Sequence, residues 1–199
     1  MSQPLILASG SASRHRLLEA AGVEIVIDKP SVDESAVKES LAAEGASVRD
    51  AAIALAEVKA RQIALRRPDA LVLGADQMLD CDEQWLDKPG TAEAVADHLR
   101  LLAGKSHRLT SAAVICQGNQ RVWHSSEEAW LAMRPLSPEF IAGYVAAYGE
   151  AVCSSVGGYH LEAAGAQLFT RVTGDHFVVQ GLPLLAILGF LRDRGMLPA

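Results

Sequence analysis

The stretch "DALVLGAD", residues 69–76, sets the fold class. Its apolar run is unbroken from Ala70 to Leu73 and then meets Gly74 and Asp76. A strand with one wet face alternates, whereas an unbroken apolar strand is buried on both faces, as in parallel or mixed sheets covered by helices. The pattern predicts a central strand that ends on Gly74 and Asp76, with its C-terminal end opening on a site. A carboxylate directly after buried apolar residues is costly unless it is used, so Asp76 is the first candidate functional residue.

Upstream, Ile53, Ala56, Ala60 and Ile63 keep helical spacing and predict a long helix from about Ser47 to Arg66. Before it, "VEIVID", residues 23–28, reads as a strand, and "KPSVDES" reads as a loop carrying Asp33 and Glu34. Residues 4–8 read as another strand, followed by a helix running to Gly22 that Ser11 or Ser13 could cap. Downstream, "DKPGTAEAV" makes a turn and opens a helix with Thr91 as N-cap. Two β-like runs, 107–118 and 120–135, flank residues 117–120 and predict a hairpin. "SPEFIAGYVAAYG" reads as a capped helix, residues 155–172 as a glycine-broken extended stretch, and Gly174-Asp175 as a turn before a closing "GLPL" helix. Helices between the early strands and a β-rich later part predict an α/β fold. No repeat or long linker divides the chain, so a single domain spanning 1–199 is expected.

Half of the 199 residues are hydrophobic and 21% are charged, a balance that folds. The net charge of −6 disfavours general binding to nucleic acid or anionic membranes but leaves room for a local basic pocket. The apolar run Leu5–Ala8 is too short for a signal peptide, and "GLPLLAILGFL", residues 181–191, is too short to span a membrane. Three scattered cysteines without a C-x-x-C suggest neither disulfides nor zinc, so a cytoplasmic location is expected.

Three constellations carry chemistry. "LASGSASRHR", residues 7–16, puts Ser9, Ser11, Ser13 and Arg14 where a strand becomes a helix; hydroxyls, a helix N-terminus and a forked cation can hold phosphate, or simply cap the helix. Glu34, Asp76 and Glu162 are separated carboxylates that could converge on Mg²⁺, or be ordinary surface acids. Lys59 and Lys88 suit phosphate oxygens, although each taken alone reads as a solvated or snorkelling lysine. No P-loop, dinucleotide fingerprint, H-E-x-x-H or G-x-S-x-G occurs.

Together these residues resemble the Maf family of nucleotide pyrophosphatases, from about Leu5 to about Leu191. Ser9-Gly10-Ser11-Ala12-Ser13-Arg14 matches its S-x-S-x-x-R signature, "VDES" its acidic loop, and "LAEVKA" its helix lysine. "GADQ", "DKP", "GYHLEAAG" and "GLPL" match the remaining motifs in the same order. The resemblance implies a Maf/ITPase-like fold, a mixed central sheet with flanking helices and a cleft between two lobes. It implies hydrolysis of a nucleoside triphosphate between the α- and β-phosphates, a divalent metal (Mg²⁺ or Mn²⁺), a cytoplasmic location and frequent homodimers. Carried onto this chain, it makes Asp76 the proton acceptor, with Lys59 and Lys88 as catalytic cations. Ser9, Ser11 and Arg14 become the substrate ligands, and Glu34 and Asp76 the metal ligands.

Base choice would fall to Ser13, Gln77 and Glu162. D-Q at the aspartate and a late glutamate resemble the 7-methyl-GTP pyrophosphatases; dTTP/UTP pyrophosphatases read A-D-T and I-Q-G there. A glutamate accepts from guanine N1–H and N2–H₂, so a guanine nucleotide is expected, modified or plain. Ser13 matches neither group, and Ala163 and Ala164 break the usual glycine spacing. The alternatives are a dTTP/UTP pyrophosphatase and a nucleotide-binding regulator of septum formation with weak catalysis.

Overall fold

The computed structural model describes residues 4–198. Seven strands form one sheet in the order β2-β1-β3-β5-β6-β7, with β4 paired to β3. The strands are β1 (Leu5–Ala8), β2 (Ile25–Ile27), β3 (Leu71–Cys81), β4 (Gln84–Leu86), β5 (Ser106–Gln117), β6 (Gln120–Met133) and β7 (Phe169–Thr173). β1 pairs parallel with both β2 and β3, whereas β3–β4 and β6–β7 are antiparallel. The sheet is mixed and carries helices, as expected of an α/β chain.

The helices are α1 (Ala12–Ala20), α2 (Glu34–Ala43), α3 (Val48–Ala64), α4 (Ala92–Leu102), α5 (Pro138–Val152), α6 (His176–Val179) and α7 (Leu184–Asp193). Ser11, Asp33, Ser47, Thr91 and Ser137 cap α1 to α5, each side chain accepting from the backbone N–H three residues on. The chain divides into two compact units. One contains the residues up to 77, 110–127 and those from 180 on; the other contains 78–109 and 128–179.

In the first unit, β1 is wholly buried and Leu5, Leu7, Leu18, Leu55, Ile63 and Leu73 are among its fully buried side chains. Gly74 lets β3 and α3 touch. A Cβ there would overlap the Ala56 carbonyl oxygen and lie 2.7 Å from the Ala60 nitrogen. That close approach brings Lys59, the residue before Ala60, within 2.6 Å of Asp76. In the second unit, α4 and α5 pack with Leu79, Val95, Leu99, Leu131, Ile141 and Tyr159 in one apolar core. Its buried His107 shares a 2.6 Å hydrogen bond with the Tyr159 hydroxyl.

Four features depart from the expected elements. β3 runs on to Cys81, so Asp76 lies within the strand and not at its end. The extension is held by β4, which returns through Asp82 and Glu83, both at positive φ as a tight two-residue hairpin requires. α2 has no counterpart in the predicted elements: none of its residues is fully buried, so it leaves little apolar periodicity to read. The stretch 155–168 is not extended. It forms two short 3₁₀ turns, and at the first of them Gly157 and Gly158 take φ values of 79° and 75° that curl the chain.

Candidate active site

The first unit assembles Ser9, Ser11, Arg14, Glu34, Lys59, Asp76 and Gln77 from the residue after β1, the N-terminus of α1, the start of α2, the interior of α3 and the middle of β3. Lys59 is the hub. Its Nζ lies 2.6 Å from Asp76 Oδ1 and 2.9 Å from Glu34 Oε2, and only 6% of its side chain is exposed. The reading of Lys59 as a solvated lysine therefore does not hold; α3 buries the stem among Ala56, Ala60 and Ile63, and two carboxylates receive the charge. Asp76 Oδ2, in contrast, is buried and has no hydrogen-bond partner. A buried carboxylate oxygen without a donor is costly unless a ligand completes it.

Arg14 is also buried, on the first turn of α1. Its Nε donates to Gly181 O at 2.9 Å, and its Nη1 donates to Ala75 O at 2.9 Å and to Ser9 Oγ at 3.1 Å. The guanidinium thus ties β1, β3 and the turn before α7 together. Gly181 needs to be glycine here: its φ is 103°, and a Cβ would sit 3.4 Å from Arg14 Nε. Burial pulls the Arg14 pKa below its ordinary value, and the charges of Asp76 and Glu34 oppose that pull.

Ser9 Oγ accepts from Ser11 N–H at 3.3 Å as well as from Arg14, so its acceptor sites are filled and its O–H is the group left to offer. Ser11 Oγ caps α1 by accepting from Arg14 N–H. Of the five helices capped by a side chain, α1 alone lacks an acid in its first turn. Its N-terminal N–H groups keep their positive end unneutralised, which suits an anion.

Ser13 is half-buried and accepts from Arg16 Nη2 at 3.3 Å. His15 pairs with Glu19 on the outer side of α1. Gln77 Nε2 donates to the fully buried Ser111 Oγ at 3.1 Å, which orients the amide. Lys88 and Glu162 belong to the second unit. Lys88 is exposed in the segment between β4 and α4, and Glu162 is exposed in the turn at 161–163.

Two residues that motifs do not single out position parts of the site, Gln62 the acidic loop and Ser111 the Gln77 amide. Gln62 forms two hydrogen bonds with the Ser31 backbone, accepting from its N–H at 2.7 Å and donating to its carbonyl at 2.8 Å. Ser111 is the second, through Gln77. The one sequence signal for Gln62 is its position three residues after Lys59, on the same helix face.

The donors fit a hard divalent cation. Glu34 and Asp76 offer carboxylate oxygens, one of them buried and unpartnered. Among the described residues no group of three His, Cys, Asp or Glu side chains forms a metal cage. A Mg²⁺-type ion needs none, since one or two carboxylates serve when substrate phosphates and water complete the shell.

The profile of the family described as "Maf-like protein" matches residues 4–194. The chain belongs to the Maf family. Among curated Maf relatives, a nucleoside triphosphate pyrophosphatase of Paramagnetospirillum magneticum is 51% identical over 192 residues, covering 96% of this chain and 99% of that protein. One of the same name from Hyphomonas neptunium is 48% identical over the full length of both. A 7-methyl-GTP pyrophosphatase of Mesorhizobium japonicum is 41% identical, covering 98% of each. A solved dITP/XTP pyrophosphatase from Mycobacterium abscessus matches with a TM-score of 0.46 at 15% identity over 98% of each chain, too distant a likeness to bear on this Maf site. Among the described residues, no helix is long and apolar enough to cross a membrane.

Proposed function

We propose that this chain is a nucleoside triphosphate pyrophosphatase, cleaving the α–β phosphate bond to give a nucleoside monophosphate and diphosphate. The observation that carries the reading is the buried Lys59–Asp76 pair whose second carboxylate oxygen has no partner. It sits in the same unit as a phosphate-type loop, Ser9 to Arg14, and the family's curated relatives carry that activity in their names.

In this reading the Ser9 O–H, Arg14 Nη2 and the N-terminal N–H groups of α1 hold the phosphates, and Ser11 keeps that helix end in place. Asp76 Oδ2 accepts the proton of the water that attacks the α-phosphorus, while Lys59 holds Oδ1 and so fixes the carboxylate's orientation. Lys59 and Lys88 offset charge that builds on the leaving diphosphate. Glu34 and Asp76 would hold Mg²⁺ or Mn²⁺; a carboxylate has about four lone-pair sites, so both roles of Asp76 are compatible. Such an ion, when bound, neutralises phosphate oxygens and stabilises developing charge.

For the base, we favour a guanine nucleotide, 7-methyl-GTP among the candidates. Glu162 is an acceptor that matches guanine's two donors, and Gln77 and Ser13 complete the assignment. The relative named as a 7-methyl-GTP pyrophosphatase supports this choice. The cytoplasm is the compartment where such a substrate would be met, and a homodimer is the expected assembly.

Pyrophosphate release from 7-methyl-GTP, GTP, UTP and dTTP, with Mg²⁺ or Mn²⁺, tests the reading. Preference for the guanine nucleotides is expected. Preference for UTP or dTTP would overturn the base assignment, and no release from any nucleotide would favour a binding regulator.

A further inference from the structure

Two cations and two carboxylates meet in the first unit's site, Arg14, Lys59 and Asp76 buried and Glu34 partly exposed, so their charges cancel. Arg14 has spent its Nε and both Nη1 hydrogens on protein oxygens, and Lys59 has given two of its three to Asp76 and Glu34. A triphosphate carries several negative charges, and this neutral cluster does little to offset them. Arg14 Nη2 and a bound divalent ion would offset part of that charge, and a cation beside the Ser9–Ser11 loop would offset more of it.

Lys29 is placed to supply it. Its side chain lies over Gly10, the residue between the two loop serines: Cδ and Cε are each 3.6 Å, and Cγ 3.9 Å, from where a Gly10 Cβ would stand. The ammonium is one bond beyond Cε. Lys29 is exposed and has no ion pair or hydrogen bond among the described side chains, unlike its neighbour Asp28.

The backbone that carries Lys29 is fastened to α3 and the turn after it at three points. Asp28 pairs with Arg66 at 3.5 Å and Arg67 at 3.2 Å, Ser31 is bracketed by Gln62, and Glu34 meets Lys59. Contacts three residues apart on the segment answer contacts three to five apart on the helix side. Asp28 N–H also donates to Leu7 O at 3.1 Å, pinning the segment's start to β1. Pro30 follows Lys29 and restricts it to extended backbone. Only the outer part of the lysine side chain is left to move.

We propose that Lys29 is a substrate-binding residue, held over the Gly10 loop by the 28–34 segment and contacting phosphate oxygens of the nucleotide. This rests on the pyrophosphatase reading for its substrate, and on the Gly10 contact and the charge balance for its residue.

The test compares Lys29→Met, which keeps an apolar stem over Gly10, with Lys29→Arg, which keeps the charge; Lys105→Met is the control, an exposed lysine of the other unit paired with Asp82. Steady-state kinetics on the best nucleotide are joined by equilibrium binding of inorganic pyrophosphate and of an α,β-methylene nucleoside triphosphate. For Lys29→Met we expect KM and both dissociation constants to rise about 5–20-fold, the range of one charge-assisted hydrogen bond, with kcat within about twofold. The dependence of binding on salt should become shallower, and Lys29→Arg should recover most of the loss.

Unchanged binding and salt dependence in Lys29→Met would overturn the proposal, as would a loss that arginine fails to recover. If the wild type hydrolyses no nucleotide, the pyrophosphatase reading falls, while pyrophosphate binding still judges Lys29.

Discussion

Strand β3 carries two aspartates four residues apart, and each shares one cation with a second acid. Asp76 shares Lys59 with Glu34, and Asp80 shares Arg108 with Glu128. The two clusters have the same charges but differ in how completely they are satisfied. Arg108 reaches both oxygens of Asp80, at 2.9 and 3.2 Å, while its guanidinium also lies over the Trp130 ring. Lys59 is a point donor and reaches one oxygen of Asp76, leaving the other buried and bare. A fork closes a carboxylate; an ammonium leaves half of it for a ligand. The open oxygen marks the site, more than the buried charge does, because structural ion pairs bury charge as well.

The largest expected effect breaks the pair apart. Asp76→Asn should lower turnover by about two to four orders of magnitude, the span of a lost general base. Asp80→Asn should leave turnover within about threefold and lower stability by about 1 kcal/mol, as loss of a partly exposed pair does. Pyrophosphate release and thermal melts, measured on both variants, decide; equal loss of turnover in the two would erase the distinction.

Next comes Gly74→Ala, which leaves every charged group present but pushes β3 away from the Ala56 carbonyl and Ala60. A destabilisation of about 3 kcal/mol is expected, with Tm lower by roughly 6–12 °C and turnover reduced as Lys59 and Asp76 separate. A variant as stable and active as the wild type would show that the close approach is not what joins them.

A third prediction concerns the second unit's buried polar pair. His107 is fully buried and is held neutral, burial pulling its pKa down to about 4. The unfolded chain takes up this proton near pH 6.5, so it binds more protons than the folded chain between the two values. The stability from keeping His107 neutral is therefore fully present above about pH 6.5. It falls as the pH drops towards 4, by up to about 3 kcal/mol. His107→Gln, which retains a partner for Tyr159, should flatten that part of the profile in chemical unfolding at several pH values; an unchanged slope would assign the acid sensitivity elsewhere.

The smallest effect is expected from Gln62→Ala. Removing the two hydrogen bonds to Ser31 should cost about 1 kcal/mol and loosen Glu34, raising the metal concentration needed for half-maximal activity by about 3–10-fold at little change in kcat. If Glu34→Gln and the double variant show the same shift as Gln62→Ala, the two residues act through one another. Strictly additive shifts would separate them.

Much of the fold was legible because its signals are local. Thr91 and Ser137 cap the helices they were expected to cap, the hairpin turns at Gly118-Asn119, and α3 follows its apolar spacing to within two residues. α2 was not legible because it is largely exposed, and the stretch 155–168 was not because paired glycines can either extend or curl. At the site, the residues carrying the Maf motifs could be named from their order along the chain. Lys29, Gln62 and Ser111 could not, since they sit outside the motifs and meet residues distant in sequence.

The sequence by itself determined the helix caps, the apolar strands and the cast of ionisable groups, all of which depend on residues within a turn or two of one another. Only the tertiary structure decided how those groups share their hydrogen bonds. Arg14 donates to Gly181, 167 residues away, and Lys59 meets Asp76 across 17. Whether a buried oxygen is closed by such a partner depends on how near two backbones can pack, and here the missing Cβ of Gly74 sets that distance.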